Sequence, residues 1–140
     1  MHRPNVFQTE WTRHFTAKLG LRPEAGPDLA TRFLTWLAED ERDFTTSFRA
    51  LAEGAEIGPE DWRADWATAD PDLDRARAAN PVVVPRLHLI EAAIDAAVKG
   101  DLDPFHDLLA RVTRPFDAAP SRYIDPPAPE ERVTRTFCGT

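Results

Sequence analysis

The stretch Asn80 to Pro115 sets the tightest limits on what this chain can build. Asn80-Pro81 and Val84-Pro85 bracket the run Val82-Val83-Val84. A residue ahead of proline is pushed out of the α region, so this β-branched run is expected to be extended. From Leu87 the period changes: Leu87, Ile90, Ile94, Ala97 and Val98 fall on one helical face. Gly100 is a ready stop, because glycine accepts the left-handed conformation that follows a helix. Asp103 reads as an N-cap with Pro104 at the first helical position. Phe105, Leu108, Leu109 and Val112 make the next apolar face, which Pro115 ends. The pattern predicts an extended entry, a helix, a tight corner and a second helix packing back.

The same punctuation runs through the rest. Thirteen prolines in 140 residues predict short elements with firm breaks. Phe7, Trp11, Phe15 and Leu19 recur at helical steps before Gly20, and Leu29, Phe33, Trp36 and Leu37 mark a second helix with Asp28 in its first turn. Phe44, Phe48 and Leu51 share a face of a third helix capped by Asp43. Pro59 opens a fourth, on which Trp62 and Trp66 lie one turn apart, and a short helix after Asp70-Pro71 runs to Ala79. The Trp pair reads first as core and second as a candidate docking surface. After Phe116 periodicity ends. The expectation is an all-α short-helix bundle over residues 1–116 and an extended proline-rich tail over 117–140, anchored only by Tyr123 and Phe137.

Several chemistries lack their residues. The net charge of −7 argues against a nucleic-acid surface and against anionic lipid. No apolar run approaches the roughly 20 residues that span a bilayer, and the N-terminus lacks a signal-peptide core. The default compartment is the cytoplasm. A single cysteine, Cys138, rules out an internal disulfide. The six glycines form no phosphate-cradling loop, and His2, His14, His88 and His106 show no metal-ligand spacing. Glu39-Asp40-Glu41 reads as solvated surface. Arg86 follows a proline-bracketed segment that fixes its position, and its plain role is to cap carbonyls or pair with an acid.

Certain of these residues also carry a family likeness. Asn80-Pro81, Pro85-Arg86, the helix from Glu91 to Ala97, Gly100-Asp101, Arg114-Pro115-Phe116-Asp117 and the ending Thr136-Phe137-Cys138-Gly139-Thr140 occur in one order. Ahead of them, Asp43, Thr45, Phe48, Arg49 and Leu51 fit an Asp-x-Thr-x-x-Phe-Arg-x-Leu pattern. In these features the chain resembles the C-terminal region of the selenoprotein O family, pseudokinase-like protein adenylyltransferases, from about residue 10 onward. One departure is Leu87, where the family often has an asparagine after the arginine.

The resemblance implies a helical C-terminal lobe of a kinase-like fold, non-catalytic by itself. ATP and magnesium or manganese are then expected only with a kinase-like N-terminal portion, supplied in cis or in trans. Protein substrates are reached only through that portion. No catalytic, cofactor-binding or metal-binding residue is expected here. Cys138 is a possible redox residue, because the family places a selenocysteine or cysteine at this spot, and Asn80, Arg86, Trp62 and Trp66 are structural or docking candidates. The alternative is a stand-alone helical interaction module with no role in AMP transfer.

Overall fold

The computed structural model describes residues 5–133, and among them the chain is helical, with no strand. The chain divides into two compact units, one ending at Pro81 and one beginning at Val82.

The first unit holds α1 (Val6–Lys18), α2 (Asp28–Glu39), α3 (Phe44–Ala52), α4 (Glu60–Thr68) and α5 (Leu73–Ala79). Helix starts follow the sequence signals. The Asn5 side chain accepts from Phe7 N, and the Asp43 carboxylate accepts from both the amide and the hydroxyl of Thr46. At the end of α1, Gly20 N–H donates to Ala17 O and Leu21 N–H reaches back to Thr16 O at 2.8 Å, closing the helix around Gly20 at φ +74°. The core gathers on Phe33, whose ring centroid lies 4.9 Å from Phe48 and 4.7 Å from Trp62, with Leu19, Leu21, Leu29, Leu37 and Leu51 around it.

The Trp pair belongs to this core. Trp62 is 1% exposed and its indole N–H donates to Leu29 O at 2.8 Å. Trp66 stacks on it at 5.8 Å and donates to Leu19 O at 2.8 Å. Both indoles are thus satisfied inside the unit. That corrects the docking reading of Trp62: the side chain is enclosed within its own unit.

The second unit holds α6 (Leu87–Val98), α7 (Asp103–Val112) and the single turn α8 (Ser121–Ile124). The valine run is extended as expected. Its amides are not left open, since Val82 and Val83 N–H both donate to Pro115 O, at 2.7 and 3.0 Å. Gly100, at φ +91°, turns the corner while Asp101 N–H returns to Ala96 O. The cap of α7 sits one residue earlier than its sequence suggests. Leu102 is the N-cap residue, Asp103 is the first residue of the helix, and the Asp101 carboxylate accepts from Asp103 N at 3.0 Å.

Two further differences concern burial. Tyr123 is 6% exposed and joins Val83, Ala93 and Leu108 in a small core, so the segment after Phe116 supplies a core side chain. The helical faces also divide. On α6, Ala93 is buried and Leu89 and Ile90 pack beside it, whereas Leu87, Ile94 and Val98 are exposed. On α7, Leu108 and Val112 turn inward, while Phe105 and Leu109 are exposed. Among the described residues no helix is long and apolar enough to cross a membrane.

Candidate functional site

The residues singled out in the first unit meet at a polar junction between α1, α3 and α5. Asn80 follows the last turn of α5 and is 1% exposed. Its amide nitrogen donates to Ala76 O and to Lys18 O, each at 2.8 Å, and its amide oxygen accepts from Lys18 Nζ at 3.3 Å. The carbonyl of Asn80 accepts from Arg49 Nη1 at 2.8 Å, and the same nitrogen donates to Arg77 O at 3.2 Å. Arg49 also pairs with Glu53 one turn on. Arg77 returns the bond by donating to Ala52 O at the end of α3, and it pairs with Asp74.

These bonds satisfy the carbonyls left over where α1, α3 and α5 end. Lys18 completes the set: it donates to Ala79 O and lies 5.5 and 5.7 Å from the ring centres of Phe44 and Phe48. Burial against these neighbours holds its ammonium pKa below the ordinary lysine value. The junction sets three cations, Lys18, Arg49 and Arg77, on backbone carbonyls, so its chemistry is that of a structural clamp. Neither Lys18 nor Arg77 stands out in the sequence, because their bonds to backbone carbonyls up to 61 residues away leave no local pattern.

Asn80→Ala removes both amide donors and leaves two buried carbonyls short of partners. The expected loss is about 2–6 kcal/mol, from about 1–3 kcal/mol for each of the two unsatisfied groups. Urea unfolding followed by circular dichroism measures it, and a change under about 0.5 kcal/mol, the range of an ordinary surface substitution, would show that the junction holds nothing together.

In the second unit Arg86 has the carbonyl-capping role: Nη2 donates to Ile124 O at 2.7 Å, tying the entry of α6 to α8. A groove of about 660 Å³ in the same unit is lined by Asp107, Arg111, Arg114, Asp117, Arg122 and Tyr123, among others. Arg111 and Arg122 lie 5.5 and 4.7 Å from the Tyr123 ring centre, so they serve its packing. Among the described residues no three His, Cys, Asp or Glu side chains are grouped to hold a metal ion. Cys138 and Phe137 lie outside the described residues.

Fold and site together describe a helical region in which, among the described residues, the motif side chains of Asn80, Arg49 and Arg86 bond to backbone carbonyls at helix ends. No protein-family model matches the chain. Its sequence is 41% identical to the protein nucleotidyltransferase YdiU of Rhodopseudomonas palustris (strain BisB5) over 96% of the chain and 33% of the relative. It is 40% identical to that of Ruegeria sp. (strain TM1040) over 98% of the chain and 32% of the relative, and 42% identical to that of Corynebacterium glutamicum over 91% and 28%. The chain belongs with these YdiU-type proteins, the selenoprotein O family, as its C-terminal region. It spans about a third of the length of the curated relatives it matches.

Proposed function

We propose that this chain is the C-terminal helical portion of a selenoprotein O-like protein adenylyltransferase and does not catalyse by itself. The supporting observation is the extent of the similarity: nearly the whole chain aligns, yet with only about a third of each relative. The relatives' printed activity is protein nucleotidyl transfer. In this reading AMP passes from ATP to a protein hydroxyl in the kinase-like portion, which binds ATP and the divalent metal and selects the protein substrate. The helical region supplies a rigid support. Asn80 and Arg49, both within the family-like motifs, hold helix ends together, which is what a support requires. The compartment is the cytoplasm, and nucleic acid and membrane are not partners. Cys138 is the redox candidate, acting on a thiol of the kinase-like portion.

Isolated chain incubated with labelled ATP, magnesium or manganese and a protein acceptor is expected to give no labelled product. Incorporation that Asn80→Ala or any other substitution within the chain abolishes would place a catalytic centre here and refute the reading.

A further inference from the structure

The two units differ in how they use apolar side chains. In the first, three large ones (Val6, Phe7 and Phe44) are exposed against a buried core of nine residues. In the second, Leu87, Ile94, Val98, Leu102, Phe105, Leu109 and Phe116 are exposed against a buried core of four. The excess is ordered. At about 100° per residue, Leu87, Ile94 and Val98 fall within about 40° of one another on α6. Past the Gly100 corner, Leu102 at the N-cap and Phe105 and Leu109 on α7 repeat a helical spacing of their own. Val98 is 82% exposed, Phe105 47% and Leu109 45%. Apolar surface gathered in this way marks an interaction site.

Around the stripe the charge is one-sided. Glu91 and Asp95 on α6 and Asp101 at the corner stand against Lys99, while Asp103 and Asp107 fall about 160–200° from Phe105, on the far side of α7. A second copy of the hairpin would bring acid against acid, so self-pairing is disfavoured. The missing length of the relatives supplies the other candidate, because this chain covers only about a third of them.

We propose that the α6–α7 stripe is the seat on which the rest of the family protein docks, through an apolar surface edged by arginine or lysine. This rests on the reading given under Proposed function. The test compares the isolated chain with a chimera, the Corynebacterium glutamicum relative carrying this chain in place of its matching region. Hydroxyl-radical footprinting reads Val98, Phe105 and Leu109. Their oxidation is expected to fall about fivefold or more in the chimera, as for residues moved into a water-excluding interface core. Phe105→Glu with Leu109→Glu should restore oxidation at Val98 in the chimera and leave the helicity of the isolated chain unchanged.

Equal oxidation in both proteins overturns the docking seat. If that chimera still transfers AMP, the proposed function stands and only the seat falls; if it neither protects the stripe nor transfers AMP, both fall. Protection in the isolated chain that rises with its concentration would assign the stripe to a second copy and also overturn the proposal.

Discussion

Trp62→Ala is expected to lower the stability of the first unit by about 3–5 kcal/mol, the range for removing a large buried aromatic. Three losses combine. The indole is enclosed against Phe33 at 4.7 Å and Trp66 at 5.8 Å, so the deletion opens a cavity between α2 and α4. The bond from its N–H to Leu29 O disappears. Gly58 loses a packing partner, because its Cα approaches the Trp62 ring so closely that a Cβ there would sit 3.0 Å from Cε3. Against a total stability of roughly 5–15 kcal/mol, such a loss leaves a marginal unit. Trp66→Ala should cost less, since Trp66 is only half buried. Urea titrations of both variants check the ranking, and a Trp62→Ala cost below about 1 kcal/mol, the size of a typical point mutation, would contradict the core described for this unit.

The second large effect is expected at Gly20→Ala. At φ +74° any L side chain is strained, by about 1–2 kcal/mol. Space adds to this. A Cβ at Gly20 would lie 2.4 Å from Asp72 O and 3.0 Å from Asp72 C, both backbone atoms that cannot rotate away. Nor can the two segments part cheaply, since Asp72 N–H donates to Gly20 O at 2.8 Å and the Asp72 carboxylate caps α5. With about 1–3 kcal/mol for forced repacking, the total comes to about 2–5 kcal/mol. Gly100→Ala is the internal control. It has the same sign of φ, at +91°, but nothing lies within 4 Å of the added carbon. It should therefore cost only the conformational part, about 1–2 kcal/mol. Equal unfolding midpoints for the two variants would mean that the close approach of α1 to α5 is not rigid.

The helices themselves were legible because proline, glycine and 3.6-residue spacing act locally. Gly20, Asp43, Pro59 and Gly100 all punctuate where their chemistry says they must. What periodicity does not contain is the identity of the covering surface. Leu87, Ile90, Ile94, Ala97 and Val98 share a face by spacing, yet Ala93 is the buried residue of α6. An apolar face tells that something covers it, not which protein segment does. Asp103 read as the cap of α7, but it lies inside the helix, and the carboxylate of Asp101 two residues back accepts its amide. Tyr123 stood out as an apolar anchor of an aperiodic segment, but nothing local announced the partners it packs against.

The junction around Asn80 was half visible. The Asn80-Pro81 pair and Arg49 stood out by motif, but their partners Lys18 and Arg77 did not, because side-chain bonds to distant carbonyls leave no spacing to read. The role of Arg86 as a carbonyl cap was legible in kind, while Ile124 as the acceptor was not.

The central claim is that this helical region serves an activity located in the part of the family that it does not contain. AMP transfer measures this most directly, comparing three proteins: the Corynebacterium glutamicum relative, the same protein without its matching region, and the chimera bearing this chain. The account predicts labelled acceptor with the relative and the chimera, and none with the shortened protein. Transfer by the shortened protein at the full rate of the relative would contradict it.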